Sequence, residues 1–280
     1  MDRKPATIFF HLHLVSDATG ETLNAIAKAG CAQFAHVEPI EHVHALVRSK
    51  RQLDRVLKEI EEAPGLVLYT LMNPDLRATL REHCERTGAP ALSVLDPVLG
   101  IMASYLGTEL LNRPGGQHEL DARYFSRIDA LYFTMAHDDG QSLADIDKAD
   151  IILVGVSRTS KTPTCIYLAN RGYKAANIPL VLDVPPPREL DNAKRPLIVG
   201  LIASPERIVQ VRRNRLLALN ERDDTTYADA ERVREECTAA RRLYEAKGWP
   251  VIDVSRRSIE ETAAAVLNLL SQRAGTEIPK

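Results

Sequence analysis

No stretch of the 280-residue chain approaches the roughly 18–20 consecutive apolar residues that a membrane helix needs, so no membrane-spanning segment is expected. The first apolar run, Ile8 to Val15, is interrupted by His11 and His13, which is not the pattern of a secretory signal. Positive charge is not in surplus: Lys and Arg number 36 against 38 Asp and Glu, a formal charge of −2. That balance removes any general electrostatic case for binding nucleic acid or an anionic membrane surface. Cys31, Cys84, Cys165 and Cys237 show neither metal-site nor redox spacing. The first three fall in helical patterns, where buried free thiols are expected. A reduced, cytoplasmic protein is the expectation. The sequence also lacks internal repeats and low-complexity segments.

What is present is a rhythm. With 45% hydrophobic residues the chain can bury a substantial core, in one large domain or two. Strand patterns at Thr7–Val15, His42–Val47, Leu66–Leu71 and Ala91–Leu95 alternate with helix patterns. The helices are expected at Glu21–Phe34, Arg51–Glu62, Pro74–Arg86 and Val98–Leu106, and Leu53, Val56, Leu57 and Ile60 form a 3.6-residue stripe. Such alternation predicts a doubly wound parallel sheet over residues 1–108. Residues 109–148 break the rhythm and are expected to be a connector packed against both halves. A second α/β unit over 149–280 should contain strands near Ile151, Ala176–Leu182, Pro196–Ile202 and Pro250–Val254. Helices should begin at Pro205, Thr225 and Ser258, the last through a Ser258–Glu261 capping box.

The most informative stretch is Gly155-Val-Ser-Arg-Thr-Ser-Lys-Thr-Pro163. Ile151 to Val154 read as a buried strand ended by Gly155, and Pro163 sits in a first helical turn, where its missing N–H is no loss. Strand, glycine turn, Lys-Thr and helix are the parts of a phosphate-binding loop. Val156, Ser157, Arg158, Thr159 and Ser160 would offer backbone N–H groups to an anion. Lys161 would reach the outer phosphates, Thr162 would ligate Mg²⁺, and Arg158 would add a bidentate contact. Ser160 stands where the usual pattern has a second glycine and is expected to keep a negative φ. An ordinary strand–helix turn with a chance Lys-Thr is the competing reading.

Other groups could carry chemistry. His137-Asp138-Asp139-Gly140 puts an imidazole and two carboxylates in one turn: one could accept a proton from an attacking hydroxyl and another hold Mg²⁺, or the turn is merely solvated. Asp183, at a strand exit, is a second candidate metal ligand. Arg212 and Arg215 share a helix face and could close over phosphates as lid arginines. Ser16 to Thr22 would suit an anion at a strand's carboxyl end or serve only as a cap. His11 and His13 suggest a sheet surface or edge; His36, His42 and His44 form no recognisable metal set and are read as structural.

The central block, with Tyr167-Leu-Ala169 and Gly172-Tyr-Lys-Ala-Ala-Asn-Ile-Pro-Leu180, resembles the bacterial pyruvate, phosphate dikinase regulatory proteins. Their near relatives regulate phosphoenolpyruvate synthase. Ser16-Asp-Ala-Thr-Gly-Glu-Thr22, His137-Asp-Asp-Gly140 and Ser258-Ile-Glu-Glu-Thr262 agree, and the Thr-Ser-Lys-Thr loop is more similar to the dikinase branch. The resemblance implies a bifunctional enzyme. With ADP as donor it would phosphorylate a threonine of the dikinase; with inorganic phosphate it would remove that group and release pyrophosphate. The same reactions on the synthase, a small-molecule kinase and a nucleotide-sensing module without turnover are the alternatives. A homodimer is an open assembly.

Overall fold

Regular alternation of strand and helix patterns folds the described residues onto two sheets of four strands, all parallel. The computed structural model describes residues 6–115, 122–218 and 227–276. Two compact units divide the chain, Met1–Glu119 and Leu120–Lys280.

In the first unit, β1 (Ile8–Ser16), β2 (Val37–His44), β3 (Gly65–Thr70) and β4 (Ala91–Ser93) lie in the order β2-β1-β3-β4. Helices α1 (Glu21–Cys31), α2 (Lys50–Glu62), α3 (Pro74–Thr87) and α4 (Asp96–Leu106) connect or follow them. Period-2 alternation gives each strand two apolar faces. Leu12, Leu14 and Leu68 pack with Leu23 and Ala27 of α1. Val15, Val67 and Tyr69 pack with the predicted α2 stripe and with Leu76 and Leu80 of α3. Asn73 caps α3 by accepting from Asp75 N and Leu76 N, and Gly88, at φ 75°, ends it.

The second unit orders its sheet β6-β5-β7-β8, from β5 (Ile151–Val156), β6 (Ala175–Leu180), β7 (Leu197–Ile202) and β8 (Val251–Asp253). Its helices are α5 (Ala122–Ala136), α6 (Lys161–Asn170), α7 (Arg188–Asn192), α8 (Pro205–Ala218), α9 (Ala230–Lys247) and α10 (Ile259–Thr276). Both faces of the sheet carry apolar clusters, one with α9 through Val233, Ala240 and Tyr244, the other with α10 through Ala263 and Val266. The capping box is formed: Glu261 N donates to Ser258 Oγ at 3.1 Å, and Ser258 N to Glu261 Oε2 at 2.8 Å. The expected helix start at Thr225 lies outside the described residues, as do Gly116 and Leu120 of the expected connector. Within that segment, α5 packs on α6 and β6. Its period was hidden because Phe125, Tyr132 and Met135 are exposed while Ala130 and Thr134 are buried. Among the described residues no helix is long and apolar enough to cross a membrane.

The histidines of β1 depart from expectation. β1 is an interior strand, and His13 is completely buried rather than at a surface or edge. Parallel register places His13 opposite His42, and the rings interleave across the two strands. His11 Nδ1 lies 2.9 Å from His42 Nε2, and His13 Nδ1 lies 3.2 Å from His44 Nε2. His13 Nε2 donates to Ala63 O at 2.8 Å, so in the neutral ring Nδ1 accepts from His44. Burial is the leading cause that lowers both His13 and His44 from the ordinary 6.5. Unfolded histidines therefore take up protons first as pH falls. The contribution of these rings to stability is complete above 6.5 and declines below it. Amide exchange of β1 and β2, corrected for intrinsic rates, is expected to show lower protection at pH ~5.5 than at ~7.5, and His13→Asn should flatten that difference.

Candidate active site

β5 is buried along its whole length and delivers the chain to the loop at the sheet's carboxyl end. Gly155 does not end the strand, which runs on to Val156. Its requirement is close approach: a Cβ there would meet Thr159 Oγ1 at 2.7 Å and Leu201 O at 3.0 Å. The Val156 carbonyl organises the loop by accepting from Thr159 Oγ1 at 2.9 Å and from Lys161 Nζ at 3.0 Å. Lys161 opens α6 and is only 5% exposed. Burial is the main cause that lowers its ammonium to about 8, against the opposing pull of Asp139, Cys165 and Asp138.

Ser160 overturns its expected conformation. It lies in the left-handed region at φ 58°, ψ 26°, immediately before α6. Arg158 is also left-handed at φ 74°. The loop needs these turns to bring its N–H groups round, and each costs about 1–2 kcal/mol outside glycine. The Ser160 carbonyl still accepts from Thr164 N and Oγ1, at 3.1 and 2.7 Å.

The His137–Gly140 turn faces this loop, but its residues divide. His137 stacks on Phe133 with ring centroids 3.7 Å apart. Its Nδ1 donates to Phe133 O at 2.7 Å and its Nε2 contacts Asp145 Oδ1 at 2.8 Å. A carbonyl and a carboxylate engage both ring nitrogens. The Asp145 carboxyl is held below its ordinary range by the His137 and then the Lys148 hydrogen bonds. Asp138 Oδ1 accepts from Thr162 Oγ1 at 2.9 Å and from Asn177 Nδ2. Asp139, at φ 48°, shares a cavity of about 490 Å³ with Ser157, Arg158, Ser160, Lys161 and Thr162.

Asn177 ties the two segments together. It is 1% exposed on β6, and its side chain reaches Asp138, Thr162 Oγ1 at 3.2 Å and, as acceptor, Asp139 N at 3.2 Å. Its own N–H donates to His137 O at 3.2 Å. Thr134 pins α5 to the same strand, its hydroxyl donating to Ala175 O at 2.7 Å. Asn177 left a faint signal in the sequence, a lone amide in an otherwise apolar strand. Tyr227, whose hydroxyl meets Ser157 and Arg158, left none.

Thr162 therefore meets Asp138. Asp183 lies in the turn beyond β6, at φ 64°, in the wall of a separate, mainly apolar cavity of about 400 Å³. Arg212 is 2% exposed and paired with Glu236 at 2.5 Å, so it is part of the fold's interior and not a mobile lid; Arg215 is exposed. Among the described residues no set of three or more His, Cys, Asp or Glu could hold a metal ion. Thr162 and Asp138 nevertheless fit Mg²⁺, which takes one or two protein oxygens and fills its shell with water and substrate phosphates.

An α/β unit that seats a buried lysine at a helix start, opposite paired carboxylates, has the parts of a phosphoryl-transfer site. The sequence profile of a family described as kinase/pyrophosphorylase matches residues 12–267, and the chain belongs to that family of transferases. A relative from Caulobacter vibrioides is 60% identical over 267 residues, covering 95% of this chain and 85% of its own. One from Rhizorhabdus wittichii is 56% identical over 273 residues, covering 98% and 100%. One from Maricaulis maris is 58% identical over 264 residues, covering 94% of each chain. All three carry the provisional name pyruvate, phosphate dikinase regulatory protein.

Two substitutions test the geometry. Ser160→Gly removes the left-handed penalty and is expected to raise stability by about 1 kcal/mol, read as the denaturation midpoint. An unchanged or lowered midpoint would mean that the serine side chain contributes more than its strain. Asn177→Ala should destabilise by about 1–3 kcal/mol, because it removes the hydrogen bonds of a buried amide to the Asp138 carboxylate, the Thr162 hydroxyl and Asp139 N.

Proposed function

We propose that the chain transfers the β-phosphoryl of ADP to a threonine of pyruvate, phosphate dikinase, and removes it again by attack of inorganic phosphate. The observation that carries this reading is the shared cavity: buried Lys161, Thr162 and Asp139 face one space at a helix start. The names of the relatives support the dikinase as target.

In the forward step the threonine oxygen bonds to the β-phosphorus, the bond to the α-phosphate oxygen breaks, and AMP leaves. Loop N–H groups and Lys161 stabilise charge on the phosphoryl oxygens. Asp139 takes the threonine proton, since His137 has no free nitrogen and Asp138 Oδ1 is already shared by two donors. In the reverse step a phosphate oxygen attacks the phosphothreonine, pyrophosphate leaves, and the threonine oxygen regains a proton. Thr162 and Asp138 would hold Mg²⁺, which neutralises phosphate charge when bound.

Incubating the protein with ADP and either the dikinase or the synthase tests the assignment. Phosphothreonine should form on the dikinase alone; product on neither target would remove the proposal. Lys161→Ala should abolish transfer while leaving the fold intact. The wild-type kcat/KM for ADP should fall roughly tenfold per pH unit as pH rises above about 8, where free-enzyme Lys161 loses its charge. Asp139→Asn should slow the forward reaction ~10²-fold or more, and the reverse much less, because attacking phosphate already carries charge. Equal losses in both directions would make Asp139 a metal or positioning group instead.

A further inference from the structure

Tyr227 touches the loop at two points, and the mechanism above gives it no part. Its hydroxyl oxygen lies 3.2 Å from Ser157 Oγ and accepts from Arg158 Nε at 3.0 Å. The tyrosine is itself held firmly. Arg212 places its guanidinium carbon 4.7 Å from the Tyr227 ring centroid, and its Nη1 donates to Tyr227 O at 2.9 Å. Arg212 in turn forks onto Glu236, with contacts of 3.2 and 2.5 Å. The phenol oxygen thus sits at the end of a rigid chain, Glu236 to Arg212 to Tyr227, rooted in α8 and α9.

Arg158 is the opposite kind of group. It is exposed, stands on a left-handed residue, and lines the same cavity as Lys161. Among the described residues Tyr227 is the hydrogen-bond partner of its guanidinium. An arginine so placed would lose rotamer entropy on fixing a ligand, unless something else fixes it first.

We propose that Tyr227 is a positioning residue: by holding Arg158 Nε it presents the two Nη groups to the terminal phosphate of a nucleoside diphosphate in the loop cavity. The geometry suits the task. Nε lies on one edge of the planar fork, so anchoring it there leaves the far edge for a bidentate phosphate contact. Burial pushes the Tyr227 phenol up, but the hydrogen bonds with Ser157 and Arg158 and the charges of Arg158 and Arg212 together hold it below its ordinary value. This inference rests on the phosphoryl-transfer reading of the loop.

The test is a double-mutant cycle with Tyr227→Phe and Arg158→Lys. Phenylalanine keeps the ring against Arg212 and the backbone bond, so its melting temperature should match the wild type. Calorimetric affinity for ADP and kcat/KM for ADP are both measured. Tyr227→Phe is expected to weaken each about tenfold and Arg158→Lys about 10²-fold, within what a misplaced contact removes. The double variant should be no worse than Arg158→Lys alone, because the tyrosine acts through the arginine. Losses that multiply, a Tyr227→Phe protein with wild-type affinity, or a loss that tracks a lowered melting temperature would each overturn the proposal. Absence of turnover in the wild type would count against the transfer reaction. ADP affinity across the cycle would still decide the role of Tyr227.

Discussion

A buried ammonium at the positive end of a helix is the constraint around which the second unit is arranged. Helix starts carry partial positive charge and favour anions. Here Lys161 adds a full charge at the first position of α6, with Arg158 close enough to depress it further. Carboxylates at Asp139 and Asp138 compensate only in part, which is why burial still lowers the lysine so far. Such a loop is electrostatically unfinished until an anion enters. A bound phosphate would supply the missing charge and return the ammonium toward its ordinary range. The buried strand before the loop keeps it from relaxing by moving: Val156 cannot shift its carbonyl without disturbing a fully buried β5.

The carboxylate turn is not self-supporting. Two of its residues, Asp139 and the following Gly140, take positive φ, and none of the segment from Asp138 to Gly140 is buried. Its position comes from outside. His137 is clamped by Phe133 and Asp145, α5 is pinned by Thr134, and Asn177 reaches across from β6. Asp139 is thereby exposed to the cavity, while the Thr134, His137 and Asn177 side chains that position its turn are buried. Exposure and precision are handled by different side chains.

Local physics was readable from the chain before any coordinates. The α2 stripe, the Ser258 cap and the strand–loop–helix at Lys161 all depend on neighbours within a turn or two. What depends on distant partners was not readable. Ser160 takes a conformation that its own side chain disfavours, because the loop around it dictates the turn. His13 is interior because β3 and α2 cover it, and polarity alone could not say so. Arg212 looks like any exposed helix arginine until Glu236, 24 residues further on, is brought against it. Asp183 and Asp138 had similar claims on Thr162, and only the packing of the turn against β6 separates them.

The edges of the two sheets show another property. Open sheets end in strands whose free N–H and C=O groups can recruit a foreign strand. Each sheet here has one edge strand of only three residues, β4 and β8. The opposite edges, β2 and β6, each contain a proline, Pro39 and Pro179, which interrupts the row of donors. All four margins are poor templates for strand addition. The chain is thereby guarded against edge-to-edge aggregation, and a protein that docks on it has to be recognised through side chains and loops rather than by extending a sheet.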